Sequence, residues 1–180
     1  ITATSKASFS PQEGAFNIFD NKVGGGEAKW CCDPAPQSVT VQMAADVSLT
    51  HFTLTSTDDA PERDPRVWAI QGSTDGVTFT DIFRYNDPTQ PSLWGSRNQV
   101  MEFILPAASP NYRYLRYSVT TTGSASMHAL GELEFFGTQG SVTDSDGDGM
   151  PNFWETQYGL NPNSNADATL DADNDQLNNL

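Results

Sequence analysis

Basic residues are scarce in this 180-residue chain: Lys and Arg number 9 against 23 Asp and Glu, and no base follows Arg116. Nucleic acids and anionic lipids are held by clustered Lys and Arg, so a formal charge of −14 argues against both as partners. Long apolar runs are missing as well. Polar residues interrupt the 37% of positions that are hydrophobic, and nothing approaches the roughly 18 residues of a membrane span, so no membrane insertion is expected. Histidine occurs only as His51 and His128, far apart in the chain, and there is no G-x-S-x-G motif or glycine-rich phosphate loop. A paired-carboxylate hydrolase has acids enough, but the best-ordered acids belong to a metal motif described below. No catalytic residue is expected, and the chain is read as a non-enzyme.

Cysteine is nearly absent too, and the two residues present, Cys31 and Cys32, are adjacent. Neighbouring Cα atoms across a trans peptide lie about 3.8 Å apart, below the usual disulfide range of about 4.4–6.8 Å. The expectation is therefore two thiols, at least one of them a small buried hydrophobe. A vicinal disulfide or a link to another chain is the alternative in an oxidising compartment. The chain opens on Ile1 without an initiator Met or a basic-then-apolar leader, as expected of a mature or excised chain whose export signal has been removed.

What is present is alternation. Val39, Val41 and Met43 share one face of an extended segment, followed by Phe52 and Leu54 and by Val67 to Ile70. Period two means strands. Further strands are expected over 79–85, 100–105, 112–119 and 130–136, separated by turn-rich stretches such as 73–76 and 87–91. Seven or eight short strands so spaced predict an all-β fold, an antiparallel β-sandwich. Residues 138–143 are small and polar and read as a linker between a domain at 1–137 and a segment at 144–180. In that segment, Asn152 to Gly159 predicts two helical turns, with Gly159 as the left-handed stop.

The last forty residues carry 8 acids and no base. Read as a twelve-residue loop, 144–155 places Asp144, Asp146, Asp148 and Glu155 at positions 1, 3, 5 and 12, with Gly149 at position 6. This is the D-x-D-x-D-G-x5-E pattern of a calcium loop. Alternate residues aim carboxylates at one point, glycine permits the sharp turn, and the final glutamate grips with two oxygens. Met150 offers its backbone carbonyl, and Asn152 a side-chain or water-mediated contact. The empty loop is expected to be disordered, because such carboxylates repel each other by roughly 3–4 kcal/mol per pair at an effective dielectric near 20. Pro151 at position 8 cannot donate the hydrogen bond that paired loops exchange, and no helix enters the loop, so a helix-loop-helix sensor is not expected. A second acidic run, Asp171, Asp173 and Asp175 with Asp167 upstream, has Gln176 where glycine belongs. Its position 12 would fall beyond Leu180, so either it borrows ligands such as Asp167 or, as we read it, the natural chain continues.

Residues 144–180 resemble thrombospondin type 3 repeats of secreted bacterial proteins, through Asp-Gly-Met-Pro-Asn-Phe-Trp-Glu, Tyr-Gly-Leu-Asn-Pro and Asp-Ala-Asp-Asn-Asp. The resemblance implies a calcium-stiffened extracellular spacer. Residues 1–137 resemble a discoidin-like (coagulation-factor type C) module, the galactose-binding jelly roll that includes family 32 carbohydrate-binding modules. The residues that carry this are 17–20 followed by Lys29 and Trp30, the Trp68 strand ending in 72–76, the run 112–117 and the closing 131–137. The resemblance implies a structural calcium between the early Asp loop and the last strand, pointing to Asp20 and Glu132, with Glu134 as substitute and carbonyls near 21–26 completing it.

Ligand contacts in that family come from variable loops and are argued here from chemistry. Sugars stack on aromatics and hydrogen-bond to planar polar groups. Trp94 and Arg97 lie in the loop 86–98, His128 lies beside the last strand, and Arg63 shares a loop with Asp64 and Arg66. Loop packing competes with stacking for Trp94, and internal salt bridges with Asp58, Asp59 or Asp64 compete with ligand binding for Arg63 and Arg66. The function so predicted is a calcium-dependent glycan-binding or adhesion module at the cell surface or outside it, with glycans as partners. A structural subunit of a calcium-stabilised filament or surface layer, binding copies of itself, is the alternative.

Overall fold

Among the described residues, alternation of apolar and polar positions produces nine strands. They are β1 (Thr2–Ala3), β2 (Trp30–Pro34), β3 (Gln37–Thr55), β4 (Pro65–Ser73), β5 (Thr80–Asn86), β6 (Val100–Ile104), β7 (Tyr112–Thr122), β8 (Met127–Leu130) and β9 (Glu132–Gln139). One helix, α1 (Asn152–Tyr158), follows. The computed structural model describes residues 2–3, 12–90, 92–123, 127–140, 143–171 and 177–179. It divides into two compact units, Ile1–Thr138 and Gln139–Leu180. β9 runs to Gln139, two residues into the stretch expected to be linker.

The 19-residue β3 organises the first unit. It takes β1, β6, β7 and β9 as partners, more than the two edges of one strand serve at a single point, so it changes partners along its length. Residues 37–42 and Val47 pair with β7, with a register shift between Gln42 and Val47, while 51–55 pair with β6. The break bends the strand and lets one ladder curl around a core. β7 continues to β4 and β4 to β5, giving the order β1-β3-β7-β4-β5 in a seven-stranded sheet, and β2 pairs with β8 separately. The pairings of β3 with β6 and β7, of β4 with β5 and β7, and of β2 with β8 are all antiparallel. The fold is an all-β antiparallel sandwich.

The core follows the period of the strands. Leu115, Tyr117 and Val119 alternate inward on β7, as Phe52 and Leu54 do on β3, and meet Trp68 and Ile70 of β4. Trp68 lies 5.9 Å from Phe52, 5.4 Å from Phe83 and 5.2 Å from Phe103, centroid to centroid. Each large side chain so buried stabilises the fold by about 1.5–3 kcal/mol, and edge-to-face aromatic pairs add about 0.5–1.5 kcal/mol each. No helix among the described residues is long and apolar enough to cross a membrane.

Candidate functional site

Polar side chains from three loops converge at one end of the sandwich, and Asp64 organises them. It ends a short 3-10 helix, Pro61–Arg63, where its N–H donates to Pro61 O. Its carboxylate is fully buried and receives both arms of the Arg97 guanidinium, at 2.9 and 2.7 Å, together with the Ser92 hydroxyl. A two-pronged charge-assisted contact of this kind fixes the 92–99 loop. Arg97 also donates to the Asp59 carbonyl at 3.3 Å. The Asp59 carboxylate in turn lies 3.1 Å from Lys29 Nζ and 3.9 Å from Arg63 Nη1, and Lys29 reaches Asp58 at 3.0 Å. Burial acts to lower the Lys29 pKa, but the hydrogen bonds and charges of Asp58 and Asp59 outweigh it and leave it raised.

Arg63 also donates toward both sulfurs of the cysteine pair, each 3.6 Å away. Here the expectation of free thiols fails: Cys31 and Cys32 form a vicinal disulfide. The peptide between them is cis, with Cα atoms 3.2 Å apart. Two other expectations are corrected at this end. Trp94 is only 5% exposed and donates its indole N–H to Leu54 O at 3.4 Å, so it packs in the core and offers no ring for stacking. His128 is 1% exposed, hydrogen-bonded to the Tyr117 hydroxyl at 3.1 Å and set edge-on to Trp30. Burial holds its pKa down at about 3. Arg63 and Arg97 remain, brought together through Asp59. Sequence reasoning missed Phe16, an aromatic 55% exposed on the 3-10 helix Ala15–Phe19. Glu13 O, just before that helix, accepts a hydrogen bond from Cys31 N at 3.0 Å and ties the segment to β2.

The expected fastening site lies where β9 begins. Glu132 is buried, and its Oε2 has no hydrogen-bond partner. Its pKa is raised to about 7, first by burial and then by the charges of Asp20 and Glu134, against the opposing N–H groups of Asn21 and Lys22. Asp20 therefore lies near enough to Glu132 for its charge to act on it. The turn that does so has Asn21 in the left-handed region and Asp20 accepting from Lys22 N at 3.0 Å. Glu134 is tied to the Thr53 hydroxyl at 2.9 Å. Asp20 Oδ2 also pairs with the Lys22 ammonium at 3.2 Å, so the buried Glu132 Oε2 is the oxygen this place leaves for a divalent cation.

In the second unit the acidic loop is held by its own backbone. Asp144 accepts from Gly147 N at 2.8 Å and Gly149 N at 3.0 Å, Asp146 from Asp148 N at 3.3 Å, and Asp148 from Met150 N at 2.7 Å. The bonds that Asp144 itself accepts, Gly149 first, lower its pKa. Ligand atoms of Asp144, Asp146 and Asp148 lie within 4.8 Å of one another. Glu155, in the first turn of α1, is fully buried, and burial followed by the neighbouring acids raises its pKa. The expected role of Asn152 changes. Its side chain bonds Ser145 twice, at 2.8 and 2.7 Å, closing the rim of the loop instead of facing its centre. Asp167 moves too: it joins Asp148 and Glu155 in a second carboxylate group within 4.8 Å. Gly159, at φ 76°, ends the helix as expected. Asp171 is exposed, and Asp173 and Asp175 lie outside the described residues.

A family model described as F5/8 type C domain matches residues 1–133. No curated protein matches the sequence. Among solved structures, CpGH89CBM32-5 from Clostridium perfringens, in complex with GalNAc-β-1,3-galactose, is similar over 75% of this chain and 92% of its own, at 20% identity and a TM-score of 0.58. The C-terminal domain of a chitobiase from Bacteroides fragilis is similar over 78% and 95%, at 17% identity and a TM-score of 0.58. The family 32 carbohydrate-binding module of Clostridium perfringens NanJ, in complex with galactose, is similar over 74% and 90%, at 16% identity and a TM-score of 0.57. At these identities the likeness establishes a common fold.

Proposed function

The chain belongs to the F5/8 type C domain family through residues 1–133, and from that premise we propose that it is a non-catalytic carbohydrate-binding module of an extracellular protein. The observation that carries this reading is the polar cluster around Asp59, where Lys29 and Arg63 meet two partly exposed carboxylates and Arg97 donates to the Asp59 carbonyl. Sugar hydroxyls both donate and accept, so adjacent guanidinium and carboxylate groups recognise them from both sides. The two carboxylates keep side-chain exposures of 38% and 47%, which leaves oxygens free to accept. Phe16 supplies an aromatic face on the neighbouring segment. Two structures of the same fold were solved with GalNAc-β-1,3-galactose and with galactose, which supports galactose-type glycans as ligands.

Both histidines are occupied elsewhere, which favours binding over catalysis. His128 is in the core, and His51 stacks on Phe136 with its Nε2 3.7 Å from Glu102. The reading includes calcium in two fastening roles. One ion joins the Asp20 turn to β9 through Glu132, and another is held by 144–155 in a thrombospondin type 3-like spacer.

A glycan array probed with the full chain and with Arg63→Ala tests the proposal. Retention of a galactose-containing glycan by the wild type, lost or weakened at least tenfold in the variant, supports it, since a hydrogen bond to a charged group contributes about 1.5–3 kcal/mol. Absence of binding to every glycan contradicts it.

A further inference from the structure

Among the described residues of the second unit, five buried carboxylate oxygens have no hydrogen-bond partner: Asp146 Oδ2, Asp148 Oδ2, both oxygens of Glu155, and Asp167 Oδ1. Like charges converge in water-poor surroundings only when something positive meets them. Each of the three aspartates turns its other oxygen toward a backbone N–H. Asp146 accepts from Asp148 N, Asp148 from Met150 N, and Asp167 from Asn161 N at 2.8 Å. Carboxylate oxygens of Asp148, Glu155 and Asp167 lie within 4.8 Å of one another, and one of Asp148 lies within the same distance of Asp144 and Asp146. Glu155, fully buried and unpartnered at both oxygens, stands between the loop and Asp167.

Resting on the calcium reading of 144–155, we propose that Asp167 is a ligand of the same cation, so that the ion ties the chain beyond α1 back to the loop before it. Calcium takes about six to eight oxygens. The loop's four acids and the Met150 carbonyl offer about six when Glu155 grips with both oxygens. Position 9 adds none, because the Asn152 amide is committed to Ser145. Asp167 supplies the further oxygen from twelve residues after Glu155, and Asp148, common to both carboxylate groups, joins the two halves. The tie reaches further along the chain. Asp167 O accepts from Leu170 N at 3.0 Å and from the Asn179 side chain at 2.7 Å, and Asn179 N donates to Leu170 O at 2.8 Å. One ion then orders residues 144–171 as a single body, with 177–179 attached through Asn179.

Calcium titration of the full chain, followed by the NMR amide signals of Gly149 and Met150 in the loop and of Asn161 and Leu170 beyond the helix, tests this. In the wild type both sets shift with one midpoint. Asp167→Asn keeps an oxygen for the Asn161 N–H, so the turn still folds. It is expected to raise the loop midpoint roughly tenfold or more, as removal of a charged ligand does, and to abolish the response of Asn161 and Leu170. An unchanged midpoint in this variant, with the wild type responding and Asp144→Ala silent, overturns the role of Asp167 alone. Loop amides indifferent to calcium in the wild type overturn the loop reading and this inference with it.

Discussion

The His128 imidazole lies 3.1 Å from the Tyr117 hydroxyl and 4.9 Å from the Trp30 ring centroid, sealed from solvent. Burial penalises the imidazolium, so the folded-state pKa falls from 6.5 to about 3. The sign of the linkage follows. Above pH 6.5 the ring is neutral whether the chain is folded or not, and it costs nothing. As pH drops from 6.5 toward 3 the unfolded chain takes a proton that the folded chain refuses, and stability is lost throughout that window. The loss amounts to several kcal/mol, on the order of 4, by pH 3. Urea denaturation between pH 7 and pH 4 is expected to show this slope in the difference between wild type and His128→Gln, because the raised pKa of Glu132 stabilises both chains as pH falls from 7 and masks it in either alone. The same burial explains why the residue serves as core and not as a sugar contact.

At the scale of elements, β9 closes against β3 through a backbone approach that leaves no room for a side chain. A Cβ on Gly137 would collide with the Ser48 carbonyl, whereas one on Gly14 would meet nothing within 4 Å. Gly137→Ala is expected to cost about 1–3 kcal/mol, as overpacking does, and Gly14→Ala under about 1 kcal/mol. Equilibrium denaturation of the two variants checks the contrast. The strands were legible in the sequence wherever polar and apolar residues alternate, as in 39–43 and 112–119. β2 was not, because Trp-Cys-Cys-Asp-Pro does not alternate and its pairing with β8 spans about a hundred residues. The single length of β3 was hidden by its register break, which interrupts the alternation between Gln42 and Val47. The acidic loop was legible because its spacing is local. Asp167 in that group was not, since only the turn 161–170 carries it back to Glu155. Trp94 and the Asp64–Arg97 pair likewise depend on how loops fold over the sandwich, which local pattern does not encode.

On the scale of the molecule, the two units divide the labour by charge. The sandwich unit holds all 9 bases, several of them spent in the Asp59 cluster, and the second unit holds acids alone. That separation matches a recognition surface built from mixed charges and a spacer stiffened by cations. The central claim is that glycans bind at the loop end where Arg63, Arg97 and Asp59 meet. The most direct measurement is the NMR map of amide shifts on titrating galactose into the full chain in calcium. Shifts concentrated in 12–16, 57–64 and 95–99, saturating with one affinity and absent in Arg63→Ala, are the expected result. Shifts that saturate on another face of the sandwich, or no shifts with galactose or any glycan retained on an array, would contradict it.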